Sequence, residues 1–249
     1  MAGVASAAEL SAGGGTMGGM ALDDAQGKLT RQEASDAITG LGWRYVLGEF
    51  RTEVRTGSLP LAADVAGRAA AVPEAQGHLR MDVREDRVLL ALQTFELSAV
   101  TARDVELARR ISAVTEEFRL TTTPGEAGQR TVQALEIGID AMDIASIRPF
   151  WKAVLGYIDE PAASCAQDAL VDPFGQGPAI WFQQMDAPRP QRNRLHFDVS
   201  VPHDEARRRI EATIAAGGKL LSDAEAPAFW VLADPEGNEA CITTWQGRD

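Results

Sequence analysis

Few residues of this chain carry an imidazole or a thiol, the groups best suited to acid–base and metal chemistry near neutral pH, and they fall in two places. The chain has 249 residues, of which three are histidines and two are cysteines. His78 lies in the stretch PEAQGHLRMDVREDRVLLALQTFE, residues 73–96, with no second histidine nearby. The second place, in the C-terminal half of the chain, contains His196, His203 and both cysteines. Imidazole and carboxylate groups are common proton donors and acceptors, and together with thiolates they are ligands of Zn²⁺.

The first place belongs to a unit that begins at LTRQEASDAITGLGW. Thr30 and Glu33 have the spacing of a capping box, in which each side chain binds a free backbone N–H of the first helical turn. Downstream, the patterns predict a strand over 43–54, a helix over 59–72, strand-like residues at 79–84, a strand in DRVLLALQT and a helix from Thr101 to about Val114. This order predicts an α+β domain over residues 28–114.

The segments outside this unit differ in composition. Residues 1–27 are rich in Gly, Ala and Ser, which cannot bury enough surface to become ordered, so we expect a disordered segment. Residues 115–132 have polar turn chemistry around Pro124-Gly125 and are predicted to be a linker.

The second unit, residues 133–249, repeats one order of elements. LEIGIDAMDIASIRPFWKAVLGY predicts a strand, a loop and a helix, and LHFDVSVPHDEARRRIEATIAAGGKLL predicts the same three. Short strands around an Asp-Pro turn follow each copy. A repeat of about 60 residues indicates two βαβββ modules made by duplication.

The composition excludes some classes of partner. The chain carries 24 Lys and Arg against 36 Asp and Glu, a net charge of −12. Nucleic acids and anionic membranes need clustered positive charge, so we expect neither as a partner. The two cysteines, Cys165 and Cys241, form no CxxC pair and give no disulfide framework, which suits a reducing compartment, and we expect a cytoplasmic protein.

The motifs of the second unit resemble a known superfamily. IDAMDIASIRPFWKAVLGY, VDPFGQGPAIWFQ and RLHFDVSVP…LADPEGNEACI cover nearly the whole unit. They are similar to the glyoxalase-like branch of the vicinal oxygen chelate superfamily. The resemblance implies a fold of paired βαβββ modules; because that fold hosts many reactions, it implies no single one.

The same resemblance implies positions for a metal site. Enzymes of the superfamily usually hold a divalent metal with His and Glu on pseudo-symmetric strands and leave room for a substrate with two adjacent oxygens. The matching positions in this chain are Glu136, Gln183 or Gln184, His196 and Cys241. The common pattern has Glu where Cys241 stands, and Glu239 lies two residues earlier on the same face of the strand.

Two states of this site are open. Zn²⁺ accepts Glu136, His196 and Cys241 as ligands. We expect the metal-free state, because a set with one His binds hard divalent ions poorly. His196 is then a hydrogen-bonding or acid–base group in a pocket lined by aromatic side chains, with Trp151, Trp181, Phe182 and Trp230 as candidates. The alternative is that these aromatic residues form the core, which we expect for at least one of Phe150 and Trp151.

The first unit resembles a second family. The segment GHLRMDVREDRVLLALQTFELSAVTARD fits the spacing of the pterin-4a-carbinolamine dehydratases without a gap. The family signature has a helix ending in His-His-Pro, a strand ending in Thr-His and a Gly-Leu-Thr-x-x-Asp helix start. Gly77, His78 and Leu79 stand at the His-His-Pro positions, and Phe95 stands at the third His.

One of three active-site histidines therefore remains, and three interpretations follow. Dehydration of a 4a-hydroxypterin needs both a base and an acid, each worth about 10²- to 10⁴-fold in rate. His78 and Glu74 are either surface residues of a domain kept for assembly, or they bind a pterin-like ring without fast turnover, or they support an active dehydratase.

Three functions for the whole chain remain. The first is a lyase or isomerase acting on a small molecule in the C-terminal cleft, with His196 and Glu136 as acid–base or ligand pair. The second is a non-catalytic protein that sequesters a small molecule with aromatic residues. The third is a 4a-hydroxytetrahydrobiopterin dehydratase. The family resemblance also implies a homo-oligomer formed through the first domain.

Overall fold

A computed structural model describes residues 27–125, 131–162, 169–188, 196–244 and 246–247. The predicted disordered segment, except for Gly27, and Cys165 lie outside the described residues. The described chain is an α+β protein with one N-terminal sheet and two C-terminal sheets, as the sequence predicts. None of the helices in the described ranges has the length and apolar character needed to cross a bilayer.

The elements of the N-terminal domain in chain order are α1 (Arg31–Ala37), β1 (Arg44–Val46), β2 (Glu49–Arg55), α2 (Leu59–Ala70), β3 (Leu79–Val83), β4 (Arg87–Leu92), a 3₁₀ turn (Phe95–Leu97), α3 (Ala102–Glu117) and β5 (Thr122–Thr123). Its sheet is antiparallel, with strand order β1-β2-β4-β3 and a short β5 on β2. The predicted capping box is present, because Thr30 and Glu33 bind each other's backbone N–H.

Two predicted boundaries in this domain differ from the structure. The single strand predicted over 43–54 is a hairpin, because Leu47 and Gly48 adopt φ values of 48° and 79° and turn the chain. Positive φ at both central residues is the geometry of a tight hairpin turn. In addition, α3 continues to Glu117, and Thr122–Thr123 pair with β2, so part of the predicted linker is packed on the first sheet.

The C-terminal domain consists of two modules with one topology. The first contains β6 (Glu136–Ala141), α4 (Ile144–Leu155), β7 (Ile158–Asp159), β8 (Leu170–Val171) and β9 (Ala179–Gln184), and the second contains β10 (Phe197–Ser200), α5 (Ala206–Ala215), β11 (Lys219–Ser222), β12 (Phe229–Ala233) and β13 (Glu239–Thr243). In each module the first and last strands pair in parallel and the others are antiparallel. The two predicted βαβββ modules are therefore confirmed.

The two modules share one hydrophobic core. Alternate residues of their strands face α4 and α5, and the core includes Ile139, Phe150, Phe182, Leu232 and Ile242. Each buried aliphatic or aromatic side chain of this kind contributes about 1.5–3 kcal/mol. Because one face of each sheet packs on this core, the remaining residues of β6, β9, β10 and β13 form the opposite faces, where the polar candidates lie.

Candidate functional site

His78 is buried and contacts a carboxylate. Its Nδ1 atom lies 2.7 Å from Oδ1 of Asp104, and Asp104 is fully buried in the first turn of α3. The other carboxylate oxygen of Asp104 accepts hydrogen bonds from the Thr94 hydroxyl at 2.8 Å and from the Thr101 N–H at 2.8 Å. Because a carboxylate can only accept a hydrogen bond, Nδ1 of His78 carries the hydrogen and donates it to Asp104.

This arrangement corrects the interpretation of His78 as a surface residue. Only 7% of His78 is exposed. Gly77 turns the chain with φ of 81°, and its carbonyl accepts the Phe95 N–H at 3.1 Å. This turn connects α2 to β3 and places the imidazole beside α3. The sequence predicted a helix start at Thr101 but did not identify Asp104, in the first turn of that helix, as the partner of His78.

Glu74 precedes His78 in the sequence and Phe95 follows it, and these two side chains have different environments. Glu74 is exposed and its carboxylate lies 3.3 Å from the Arg103 guanidinium. Phe95, at the third His position of the family, is half-buried, and the Arg80 guanidinium lies 5.6 Å from its ring centroid. Arg80 also forms an ion pair with Glu49. At Phe95, an aromatic–cation contact stands where the family has an acid–base group.

The C-terminal domain gathers three chemically active side chains on one sheet face. His196, Asp198 and Cys241 each offer a ligand atom, and these atoms all lie within 4.8 Å of one another. Asp198 and Cys241 are register partners on the parallel strands β10 and β13. His196 lies two residues before Asp198, and its Nε2 is 3.6 Å from a carboxylate oxygen of Asp198.

The environment of Cys241 differs from that of its two neighbours. His196 and Asp198 both have 58% of their side chains exposed, whereas Cys241 is 8% exposed. Burial raises the pKa of the Cys241 thiol to about 11, with further contributions from Asp198 and then Glu239. The thiol is therefore protonated at neutral pH when no cation lies beside it.

The three side chains fit a divalent metal. They supply one imidazole nitrogen, one carboxylate oxygen and one sulfur, all accepted by Zn²⁺, and three protein ligands leave a fourth position open. The set differs from the one that the resemblance implies, since Asp198 takes part and, among the described residues, Glu136 is not in the group. Asp198 was missed from sequence although its spacing of two from His196 puts both on one strand face.

Glu136, Trp181 and Gln183 lie on the other sheet. Glu136 is in β6, and the register of β6 with β9 pairs Gly138 with Trp181 and Asp140 with Gln183. A Cβ at Gly138 would come within 2.9 Å of two atoms of the Trp181 ring, so this indole lies directly on the glycine. Trp181 is 39% exposed, and Glu136 and Gln183 are exposed as well, so all three are accessible to a ligand.

The structure separates the predicted aromatic pocket into two groups. Trp151 is 1% exposed, packs edge-on against Phe150 and Phe197, and donates from Nε1 to a carboxylate oxygen of Asp234 at 3.0 Å. Phe182 is buried in the core, and Trp230 packs against the core on the side of β12 opposite Val231, the partner of Cys241. Phe182 and Trp230 belong to the core because they lie on the helix-facing side of the sheets, and Trp151 belongs to it as a buried residue of α4. Trp181 alone of the four is on the polar face.

Glu239 remains near the site. It is half-buried on the same face of β13 as Cys241, and its charge contributes to the raised pKa of that thiol. The resemblance implies a carboxylate at the position of Cys241. In this chain the carboxylate is two residues earlier, at Glu239, on the same face of the strand as the sulfur.

The fold and these sites define a class of two-domain α+β proteins with paired βαβββ modules. Residues 27–114 match the family model described as pterin 4 alpha carbinolamine dehydratase, and residues 136–243 match the model described as glyoxalase-like domain. The chain therefore contains an N-terminal pterin-4a-carbinolamine dehydratase domain and a C-terminal glyoxalase-like domain, as both resemblances predict. No curated protein matches the chain.

Solved structures are similar to one domain or the other. A transcriptional coactivator/pterin dehydratase from Brucella melitensis is 25% identical, covers 35% of this chain and 97% of its own, and has a TM-score of 0.33. A glyoxalase/bleomycin resistance protein/dioxygenase family enzyme from Burkholderia phytofirmans PsJN is 21% identical over 44% of this chain and 95% of its own, with a TM-score of 0.36. A mutant fosfomycin resistance protein FosX from Listeria monocytogenes, complexed with Mn(II) and 1S,2S-dihydroxypropylphosphonic acid, is 12% identical over 45% of this chain and 90% of its own, with a TM-score of 0.36.

Proposed function

We propose that the chain is a lyase or isomerase that acts on a small molecule at the polar sheet face of its glyoxalase-like domain. The observation that carries the proposal is the convergence of His196, Asp198 and Cys241 on one face while the other face of the same strands is core. The parallel ladder between β10 and β13 fixes the backbone positions of Asp198 and Cys241, and His196 directly precedes β10. A cluster of reactive side chains at fixed backbone positions is typical of a reaction centre.

Each nearby residue has a role that follows from its chemistry. His196, Asp198 and Cys241 would hold a divalent metal, in place of the metal-free state expected from the sequence, because Asp198 adds a carboxylate ligand beside the imidazole and the sulfur. A bound metal supplies electrophilic polarisation of a substrate oxygen. The Glu239 carboxylate lies on the same face and can take or return a proton. On the other sheet Trp181 offers an apolar surface to the substrate, and the Gln183 amide and the Glu136 carboxylate offer polar contacts.

The glyoxalase-like domain favours a substrate with two adjacent oxygens, which is the class that the superfamily resemblance implies. The N-terminal domain serves in ligand binding or in homo-oligomer assembly under this proposal. A free Cys241 thiol fits a cytoplasmic location.

The test is a turnover assay with a matched histidine control. A panel of vicinal diols, hydroxyketones, epoxides and thiol adducts of α-ketoaldehydes is incubated with the full chain and followed by NMR. We expect one class to be consumed by the wild type and by His203→Ala, and not by His196→Ala. His203 is a suitable control because it is exposed and lies outside the three-residue group. Saturable quenching of Trp emission without product in any sample would instead support the non-catalytic binding protein.

A second candidate function lies in the N-terminal domain. The buried contact between His78 and Asp104 favours a retained site for a pterin-like ring, because a carboxylate-held imidazole is oriented for hydrogen bonding. We expect a reduced pterin to bind the wild type, to bind His78→Ala less tightly, and to be dehydrated slowly, because Gly77 and Phe95 replace the other two histidines. Fast, His78-dependent dehydration of a 4a-hydroxypterin would instead make 4a-hydroxytetrahydrobiopterin dehydratase the main function of the chain.

A further inference from the structure

We propose that His196, Asp198 and Cys241 form a metal site that selects Zn²⁺ and that lies wholly within the second βαβββ module. The proposal deepens the function proposed above, since it concerns the same sheet face. It departs from the ligand set implied by the family resemblance in two respects: Asp198 replaces Glu136, and the sulfur of Cys241 replaces a carboxylate.

The backbone geometry brings two of the ligands together without any contribution from the first module. Asp198 and Cys241 are direct partners in the parallel ladder between β10 and β13. His196 lies on the same side of the chain as Asp198, two residues earlier. The site therefore needs no alignment of the two modules, whereas a site using Glu136 needs β6 to be brought against β10.

The distances allow metal binding with small side-chain movements. At metal–ligand distances of about 2.0–2.3 Å, ligand atoms around a tetrahedral ion are about 3.3–3.8 Å apart. The three atoms here lie within 4.8 Å of one another, and one pair is already at 3.6 Å. His196 and Asp198 are the exposed members, so their side chains can rotate toward the buried sulfur.

The ligand types decide which metal is selected. Mg²⁺ and Ca²⁺ take oxygen ligands almost without exception, and Mn²⁺ prefers carboxylates and water. A mixed nitrogen, oxygen and sulfur set favours Zn²⁺, and Co²⁺ as its spectroscopic substitute. Asp198 and the thiolate together supply two negative charges, which balance a divalent ion, and three protein ligands leave one position for a substrate oxygen.

The experiment is a titration of the full chain with Co²⁺ and then Zn²⁺. The protein is purified without an affinity metal, freed of metal with a chelator, and followed by absorption. We expect one Co²⁺ per chain with a thiolate-to-cobalt charge-transfer band, and loss of that band when Zn²⁺ is added. Mn²⁺ should not displace the Co²⁺.

Four variants assign the ligands. Cys241→Ser should remove the charge-transfer band, and Cys165→Ser, at the other cysteine of the chain, should keep it. Asp198→Asn should weaken Co²⁺ binding by more than about tenfold, whereas Glu136→Gln should leave it unchanged. Circular dichroism of each variant confirms that the fold is intact.

Several results would overturn the proposal. These are a wild-type protein that binds Co²⁺ without a charge-transfer band, a band that survives in Cys241→Ser, or binding that depends on Glu136 and not on Asp198. Because the titration contains no substrate, its failure leaves the turnover assay with His196→Ala unaffected. A metal-binding chain without turnover would contradict the proposed reaction and leave the metal site in place.

Discussion

His78 and Asp104 form a buried contact of 2.7 Å between Nδ1 and Oδ1, which links the start of β3 to the first turn of α3. The same carboxylate accepts hydrogen bonds from the Thr94 hydroxyl and from the backbone and side chain of Thr101. Asp104 therefore organises three segments of the N-terminal domain at one point. Asp104 caps the start of α3 and also orients His78, the one histidine of this domain.

Removing the Asp104 charge should destabilise this domain. Asp104→Asn keeps the size of the side chain but replaces one of its two accepting oxygens by an NH₂ group. This NH₂ group donates hydrogen bonds, and it would face either His78 or Thr94 and Thr101, all of which donate to the carboxylate in the wild type. We expect a loss of about 1–3 kcal/mol in the free energy of unfolding, measured by urea denaturation. The control is Glu106→Gln, an exposed position on the same helix whose ion pairs with Arg109 and Arg110 are worth little. Equal stabilities for the two variants would contradict the organising role of Asp104.

Trp151 and Trp181 should separate in their effects on stability and on ligand binding. Trp151→Phe removes the donor to the buried Asp234 carboxylate, and we expect a loss of about 1–3 kcal/mol with unchanged ligand binding. Trp181→Phe changes an exposed ring, so its stability should stay within about 0.5 kcal/mol of wild type while ligand binding weakens. Urea denaturation and emission titration measure the two quantities. If Trp151→Phe weakened ligand binding and Trp181→Phe lowered stability instead, Trp151 would belong to the binding site.

A methyl group at Gly138 should displace the Trp181 ring. The added Cβ in Gly138→Ala would approach two ring atoms to 2.9 Å, and the exposed indole can move away from it. We expect a changed Trp emission spectrum and weaker ligand binding, with a stability loss below that of a core mutation. The matched control is Gly67→Ala in α2, where no atom other than those of the chain neighbours and the helix backbone lies within 4 Å of the new Cβ. That variant should be more stable by about 0.4–1 kcal/mol, since Ala restricts the unfolded chain. An unchanged emission spectrum for Gly138→Ala would contradict the contact.

Asp159 should contribute to stability in a defined pH range. The Lys152 ammonium, and then the Arg148 guanidinium, hold the pKa of Asp159 below its ordinary value of 3.8. A lowered pKa means that the contribution is complete above the ordinary value and is lost as the pH falls through the folded-state pKa. Asp159→Asn should therefore be less stable than wild type at neutral pH by about 0.2–1 kcal/mol, since the pair is half exposed. Urea denaturation across this range should show the difference vanishing in acid, and Asp64→Asn, on the exposed side of α2, should show no such pH dependence.

Bound Zn²⁺ should stabilise the C-terminal domain through Cys241. A ligand that binds only the folded state at a free concentration of 100 times its Kd raises the unfolding free energy by about 2.7 kcal/mol. We expect the thermal midpoint of the chelator-treated wild type to rise on addition of Zn²⁺, and that of Cys241→Ser to rise much less. Differential scanning calorimetry measures both. Equal shifts in the two proteins would place the stabilising metal elsewhere.

Local signals in the sequence were enough for the fold and for the family of each domain. The capping box at Thr30, the repeated strand–loop–helix order and the motif frames depend on residues close in sequence, whose spacing alone sets helix starts and strand faces. The duplication and both domain assignments were predicted for that reason. The hairpin turn at Leu47 was not, because a non-glycine residue with positive φ leaves little trace in the pattern.

The partners of the active side chains were decided by tertiary structure. Asp104 is 26 residues from His78, and Asp198 is 43 residues from Cys241, so only the packing of α3 and the register of β10 on β13 bring them together. Likewise the sequence made both Trp151 and Trp181 candidates for a pocket and Trp151 a candidate for the core as well. Trp151 on α4 is buried and Trp181 on β9 is exposed because the helices cover only one side of each sheet, and that is set by long-range burial of apolar surface rather than by any local spacing.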